Sequence, residues 1–215
     1  MSDRTSKCIT KLMNSKQDLL LVTQALFPKY ILNSTELKYI SIIGNINTYN
    51  IKQYQLIVPS YYITNIMAIL FLHINYQYKS LVDLFGVDYL DKKYRFQIIY
   101  QFISYAYFNR IIIKTWTDDL HFIDSITATY PSANWYEREC WDMYGVSFKN
   151  HPDLRRILTD YGFQGHPFRK DFPLSGFIEL RYDERYQRIA YDPIHSIQEF
   201  RIFDTLTPWN FYHKN

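Results

Sequence analysis

Residues 96–116 read FQIIYQFISYAYFNRIIIKTW. Two runs rich in isoleucine and aromatics, Phe96–Tyr105 and Arg110–Trp116, flank a short Tyr107-Phe108-Asn109 connection. Side chains of this kind fit the pleated, half-buried surface of a sheet, so the stretch is predicted as an antiparallel hairpin. Working outward, two more strand-like runs, Lys38–Ile43 and Gln53–Val58, lie on either side of the turn-rich Gly44-Asn45. Pro59-Ser60 then opens a helix, because Ile63, Ile66, Met67, Leu70, Phe71 and Ile74 fall on one stripe at helical spacing. On the other side of the hairpin, Asn134-Trp135-Tyr136-Glu137 has the spacing of a capping box, with Asn134 as N-cap and Glu137 at N3, and Gly145 supplies a stop. The first thirty residues suggest another helix, with Leu12, Leu19, Leu20, Val22 and Leu26 loosely spaced before Pro28. Helices packed on such strands in two layers give an α+β fold with an antiparallel or mixed sheet. The division expected is a helical segment 1–30, an α+β domain 31–148 and a tail 149–215.

Past His151 the texture changes. Five of the 8 prolines (Pro152, Pro167, Pro173, Pro193, Pro208) and half of the 6 glycines lie there. Each proline removes a backbone donor, which works against long helices and central strands. The same stretch keeps Phe163, Phe168, Phe172, Phe177, Tyr182, Tyr191, Phe200, Phe203 and Trp209, more large aromatics than a solvated linker carries. An extended, proline-rich, aromatic tail that cannot build its own core is expected to lie against another protein.

Composition narrows the class. Of 215 residues 47% are apolar and 19% aromatic, which excludes a disordered chain. With 21 Tyr and 15 Phe beside only 6 Gly, the composition has the bias of a gene written in A+T-rich codons, as in organelle genomes. The net charge of +3 is mild; residues 1–150 hold 15 Lys/Arg against 12 Asp/Glu and residues 151–215 hold 9 against 9. A nucleic-acid module shows a stronger and clustered basic footprint, and the aromatic run of an RNA-recognition motif is missing, so an RNA-binding α+β module is the weaker alternative. Cys8 and Cys140 stand far apart with no second thiol at ligand spacing, which speaks against a zinc site, an iron–sulfur cluster or a disulfide framework. The apolar run from Ile63 to Ile74 is interrupted and too short to cross a bilayer, and the N-terminus has no secretory signal pattern.

The stretch 134–173 concentrates the chemistry. Trp135, Glu139 and Asp142 share one helix face at i, i+4 and i+7, and Tyr136, Cys140 and Met143 share another, expected on the core side. Two carboxylates one turn apart can form an acid/base pair. Their neighbours, however, are Trp, Arg and Tyr, the residues that dominate protein–protein hot spots. A stand-alone hydrolase built on Glu139 and Asp142 is therefore the less favoured reading. His151-Pro152 and His166-Pro167 lack the spacing of a helical metal site. Arg155-Arg156 and Arg169-Lys170-Asp171 have no glycine-rich phosphate loop beside them and read as ion pairs to a partner's carboxylates. The partner interface expected comprises Trp135, Glu137, Glu139, Trp141, Asp142, His151, Arg155, Arg156, Arg169, Lys170, Asp171 and Phe172. No catalytic, cofactor-binding or metal-ligating residue is expected.

The strings NWYERECWDMYGVSF (134–148) and HPDLRRILTDYGFQGHPFRKDFPLSG (151–176) together resemble the signature of the 30-kilodalton subunit of respiratory complex I. Weaker similarity reaches outward through Val58-Pro59, Val87-Asp88-Tyr89, Arg95-Phe96 and Arg110–Thr115, and through Glu179–Asp183, Gln198–Arg201 and Pro208-Trp209. Residues 58–209 are thus covered and residues 1–50 are not distinctive. The resemblance adds Arg201 and Trp209 of the tail to the expected partner interface. Cys140 stands where members usually carry an aliphatic residue, and His195 where they usually carry a glutamate. The resemblance implies a structural subunit in the hydrophilic arm of NADH:ubiquinone oxidoreductase, with no cofactor of its own. It implies FMN and iron–sulfur clusters on other subunits. The implied partners are the quinone-site (49-kilodalton-type) subunit and the iron–sulfur subunits, with no nucleic acid and only indirect membrane contact. The implied place is the matrix side of the mitochondrial inner membrane, and the composition favours a mitochondrial gene.

Overall fold

The structure, a computed structural model, describes residues 31–41, 49–195, 201 and 203. The expected N-terminal helix within 1–30, the turn at Gly44-Asn45 and Trp209 lie outside the described residues. The chain divides into two compact units after Phe172.

In the first unit, β1 (Asn33–Ser41) and β2 (Tyr49–Ile57) form an antiparallel pair, with Asn33 opposite Ile57 and Ser41 opposite Tyr49. A 3-10 turn, Ser60–Tyr62, leads into α1 (Ile63–Leu72). Strand β3 (Ser80–Asp88) pairs with β4 (Phe96–Ser104), which pairs in turn with β5 (Asn109–Thr117), both antiparallel. Strand β5 runs parallel to β2, so the sheet is mixed, in the order β1-β2-β5-β4-β3. A two-residue parallel bridge joins β6 (Ile123–Asp124) to β7 (Phe148–Lys149), and α2 (Ala133–Tyr144) lies between them in the chain.

The expected hairpin is present as β4 and β5. Its alternation puts Phe96, Ile98, Tyr100 and Phe102 on the core face with Ile111 and Ile113 of β5. Helix α1 buries Ile63, Ile66, Met67 and Leu70 against that face, each contributing about 1.5–3 kcal/mol. The helix stops at Leu72, so Ile74, expected on the same stripe, is 71% exposed. Helix α2 crosses the β3 edge. The Tyr136 hydroxyl donates to the Val82 carbonyl (3.3 Å), and the Cys140 thiol reaches that of Leu84 (3.9 Å), which blunts an edge that would otherwise be open to pairing.

The capping box expected at Asn134 does not form. Helix α2 begins at Ala133 behind Ser132, without any side-chain cap bond. Glu137 turns inward instead of back along the backbone, because it has partners on another element. The C-terminal stop is as expected: Gly145 is left-handed (φ 79°) and its amide bonds the Trp141 carbonyl.

Residues 149–172 have no helix or strand beyond Lys149, in keeping with their prolines, yet they belong to the first unit. The division between the compact units falls after Phe172, whereas the α+β domain is expected to end at 148. In the second unit, β8 (Ile178–Asp183) and β9 (Arg188–Pro193) form a two-stranded antiparallel ribbon.

Candidate partner interface

Most of the charged residues expected to meet a partner are used within the first unit. Asp142, on α2, has a fully buried side chain and lies under the loop 156–166. Its carboxylate accepts from the Arg156 guanidinium (2.9 Å), the Thr159 hydroxyl (2.7 Å) and the amides of Ile157, Leu158 and Thr159 (3.2, 2.8 and 3.0 Å). Burial alone would raise its pKa, but these donors together hold it below the ordinary carboxylate value. Arg156 also donates to the Gly165 carbonyl and lies against the Trp141 ring, 5.6 Å from its centroid. His166 Nδ1 sits 2.9 Å from the Asp142 carbonyl oxygen, and burial lowers its pKa despite that bond.

Glu137 makes a second internal knot. Its carboxylate accepts from the Ser125 hydroxyl (2.5 Å) and the Ile126 amide (2.8 Å), and His151 Nε2 is 3.8 Å away; neither side chain is exposed. His151 Nε2 is also 3.2 Å from the Asn134 carbonyl oxygen. Burial pushes Glu137 up to about 7, against the two hydrogen bonds that pull it down, and burial lowers His151. A raised carboxyl makes the folded state prefer the proton. The stability it contributes is complete below its unfolded value near 4.5 and is lost as pH rises through about 7. His151 runs the other way: its contribution is present above the ordinary histidine value of 6.5 and is lost as pH falls through the lowered one. Glu137→Gln is accordingly expected to remove a loss of stability on the order of 2 kcal/mol between pH 5 and pH 8, measured by chemical denaturation at each pH. An unchanged pH slope in the variant would exclude Glu137 as its source.

The run Arg169–Phe172 is likewise turned inward. Arg169 Nε donates to the Tyr144 carbonyl (2.6 Å), its Nη2 to Asp119 (2.6 Å), and its guanidinium lies 5.1 Å from the centroid of the Phe96 ring. The Lys170 amide donates to Asp88 (2.9 Å), while its side chain is exposed. Asp171 pairs with Arg95 through both oxygens (2.9 and 3.0 Å), and Phe172 packs on Phe163, centroids 6.0 Å apart. The Arg95 hydrogen bond lowers both Asp88 and Asp171. Within this run Arg169 and Asp171 make ion pairs inside the unit, whereas the Lys170 ammonium faces outward. The sequence missed Arg95 and Asp88 as its counterparts, since they stand 76 and 82 positions away.

What remains turned outward is more apolar. Trp135 is 68% exposed, with Arg138 lying over its ring at 5.6 Å. Arg155 is exposed beside Asp153, Glu139 and Trp141 are half-buried, and Arg201 is exposed beside Phe203. Leu120, Phe122, Leu158, Tyr161 and Phe168 add exposed apolar surface to the first unit. In the second unit the ribbon sorts its residues by face. The cross-strand pairs Ile178–Pro193, Leu180–Tyr191 and Tyr182–Ile189 make one face wholly apolar. The pairs Glu179–Asp192, Arg181–Ala190 and Asp183–Arg188 make the other nearly all charged, with Arg181 bonded to Asp192. Ile178, Leu180, Tyr182, Ile189 and Tyr191 are 49% to 63% exposed. The period-two alternation of IELRYD was the available signal for this face.

Comparison with known proteins agrees with the resemblance. Residues 56–178 match the family described as "Respiratory-chain NADH dehydrogenase, 30 Kd subunit". The chain is 51% identical over 148 residues to NADH dehydrogenase (ubiquinone) iron-sulfur protein 3 of Arabidopsis thaliana, covering 69% of this chain and 78% of that relative. It is 52% identical over 144 residues to NADH-ubiquinone oxidoreductase subunit 9 of Reclinomonas americana, covering 67% and 71%. Among solved structures, a chain of the membrane-bound sulfane sulfur reductase, an archaeal respiratory membrane complex, superposes with a TM-score of 0.54 at 21% identity. That match covers 74% of this chain and 87% of the other, and it shows a shared fold. The name of the Arabidopsis thaliana relative includes iron–sulfur, but the described residues of this chain do not fit a cluster. Cys140 is buried on the β3 edge, and no three His, Cys, Asp or Glu side chains among the described residues are grouped to hold a metal.

Proposed function

The chain belongs to the 30-kilodalton subunit family of the respiratory-chain NADH dehydrogenase, and from that premise we propose that it works as a scaffold whose second unit straps onto a neighbouring subunit. It is a subunit of complex I, the NADH:ubiquinone oxidoreductase. No described helix is long and apolar enough to cross a membrane, which is consistent with a place in the peripheral arm.

The observation that carries the strap reading is the ribbon β8–β9. An isolated two-stranded ribbon is marginal in water, and this one leaves a continuous apolar face uncovered opposite a charged one. Such a face is stable when another subunit covers it. The occupant we assign is the quinone-site subunit, with the iron–sulfur subunits alongside; these carry the complex's clusters, and FMN resides elsewhere in the complex. Rigid support is the contribution expected of such a chain, because electron transfer and quinone chemistry both depend on fixed geometry. The matrix face of the mitochondrial inner membrane is the corresponding location, with the gene in the mitochondrial genome.

The test uses the full chain in its native membranes. Leu180→Asp with Tyr191→Asp, a directly opposed pair on the apolar face, is expected to lower assembled complex by more than about tenfold on native gels, as loss of interface anchors does. Glu179→Ala on the charged face should leave assembly unchanged. Normal assembly with the double variant, or equal loss with both, would overturn the strap reading.

A further inference from the structure

The division between units falls immediately after four consecutive residues that are each pinned to the first unit: Arg169, Lys170, Asp171 and Phe172. One of these attachments differs in kind. Arg95 holds Asp88 through Nε and Nη2 (both 2.8 Å), and the Asp88 side chain is 1% exposed. The other edge of the same guanidinium reaches Asp171, which is 55% exposed. If Asp171 swings away, it returns to water, and Asp88 keeps Arg95 and the Lys170 amide. Opening there strands no buried charge, whereas opening at Asp88 would.

We propose that the Arg95–Asp171 contact is a releasable clasp that fixes where the chain leaves its first unit, so that residues 173 onward meet their partner from a defined origin. This rests on the strap reading above. Arg95, held by the buried Asp88 and lying 5.2 Å from the centroid of the Phe96 ring, is the fixed half. Asp171 is the mobile half. The closed geometry is a two-oxygen pairing to a planar guanidinium, which adds direction as well as attraction. Arg95 and Asp171 are positioning residues; neither needs to touch the partner.

The test is Asp171→Asn in the full chain, with Asp171→Glu as the charge-conserving variant. In the asparagine variant, hydrogen exchange at the Phe172 amide is expected to speed by about fivefold to tenfold, the weight of a partly exposed charge-assisted pair, while the Lys170 amide, still held by Asp88, changes little. The melting temperature should fall by less than about 4 °C, since the buried pair survives. Raising salt from about 50 mM to about 500 mM should speed exchange in the unaltered chain and change little in the asparagine variant. Assembled complex should drop severalfold and recover in the glutamate variant. Unchanged exchange, a larger drop in melting temperature or normal assembly would each overturn the clasp. Normal assembly of Asp171→Asn beside failure of the Leu180→Asp, Tyr191→Asp chain would sink the clasp and leave the strap standing. Normal assembly of both would sink both.

Discussion

Asp142→Ala is expected to lower the stability of the first unit by about 3–5 kcal/mol and to release the loop 156–166 from α2. The carboxylate is fully buried and accepts from the Arg156 guanidinium, the Thr159 hydroxyl and three successive amides. Alanine leaves the three amides and the Thr159 hydroxyl without this acceptor and Arg156 with the Gly165 carbonyl, and each unmade bond beside α2 adds its own cost. Asp142→Asn is expected to fall in the same direction, because its amide group would face donors with donors. Denaturant unfolding of the full chain gives the magnitude, and exchange at the Ile157, Leu158 and Thr159 amides localises it. A loss below about 1 kcal/mol would mean that water or the loop itself replaces the carboxylate.

Gly145→Ala is expected to cost about 2–4 kcal/mol, which is large for one added methyl group. The residue is left-handed at φ 79°, a conformation that side chains other than glycine's rarely adopt. A Cβ there would also fall 2.7 Å from the His166 ring and closer still to the Arg169 guanidinium. Those two side chains fasten the loop to the end of α2 through the carbonyls of Asp142 and Tyr144. The substitution therefore strains the turn and unseats both. The second effect shows separately as faster exchange at the Phe168 amide, which bonds the Met143 carbonyl. Arg169→Ala in the Gly145→Ala background should add little, since the two changes break the same contact.

These two sites also mark where the sequence could be read and where it could not. Strands β4 and β5 were legible because their apolar faces alternate cleanly with period two, and α1 because its stripe is continuous to Leu70. Strand β3 was missed: its register shifts between Leu81 and Asp83, which breaks the alternation a strand would show. The parallel pairing of β2 with β5 was out of reach, since it joins segments separated by α1, β3 and β4.

The expected interface met the same limit. Trp135, one of the aromatics expected at a partner interface, is 68% exposed. The carboxylates and arginines of 137–171 are mostly paired inside the unit, with partners such as Asp119 and Arg95 whose distance along the chain hides them. A charge in a string looks the same whether its partner is another protein or its own far strand. The apolar face of β8–β9 is present in the string as alternation, but the prolines and glycines that recur through 152–208 point to an extended tail instead.

The most direct test of the scaffold reading is hydrogen exchange across residues 177–193, compared between the full chain alone and the same chain in the purified complex. A ribbon covered by another subunit should exchange at least about a hundredfold more slowly in the complex, with the largest change at the Leu180 and Tyr191 amides. Equal exchange in the two states would show that nothing covers the apolar face, and the strap would not exist.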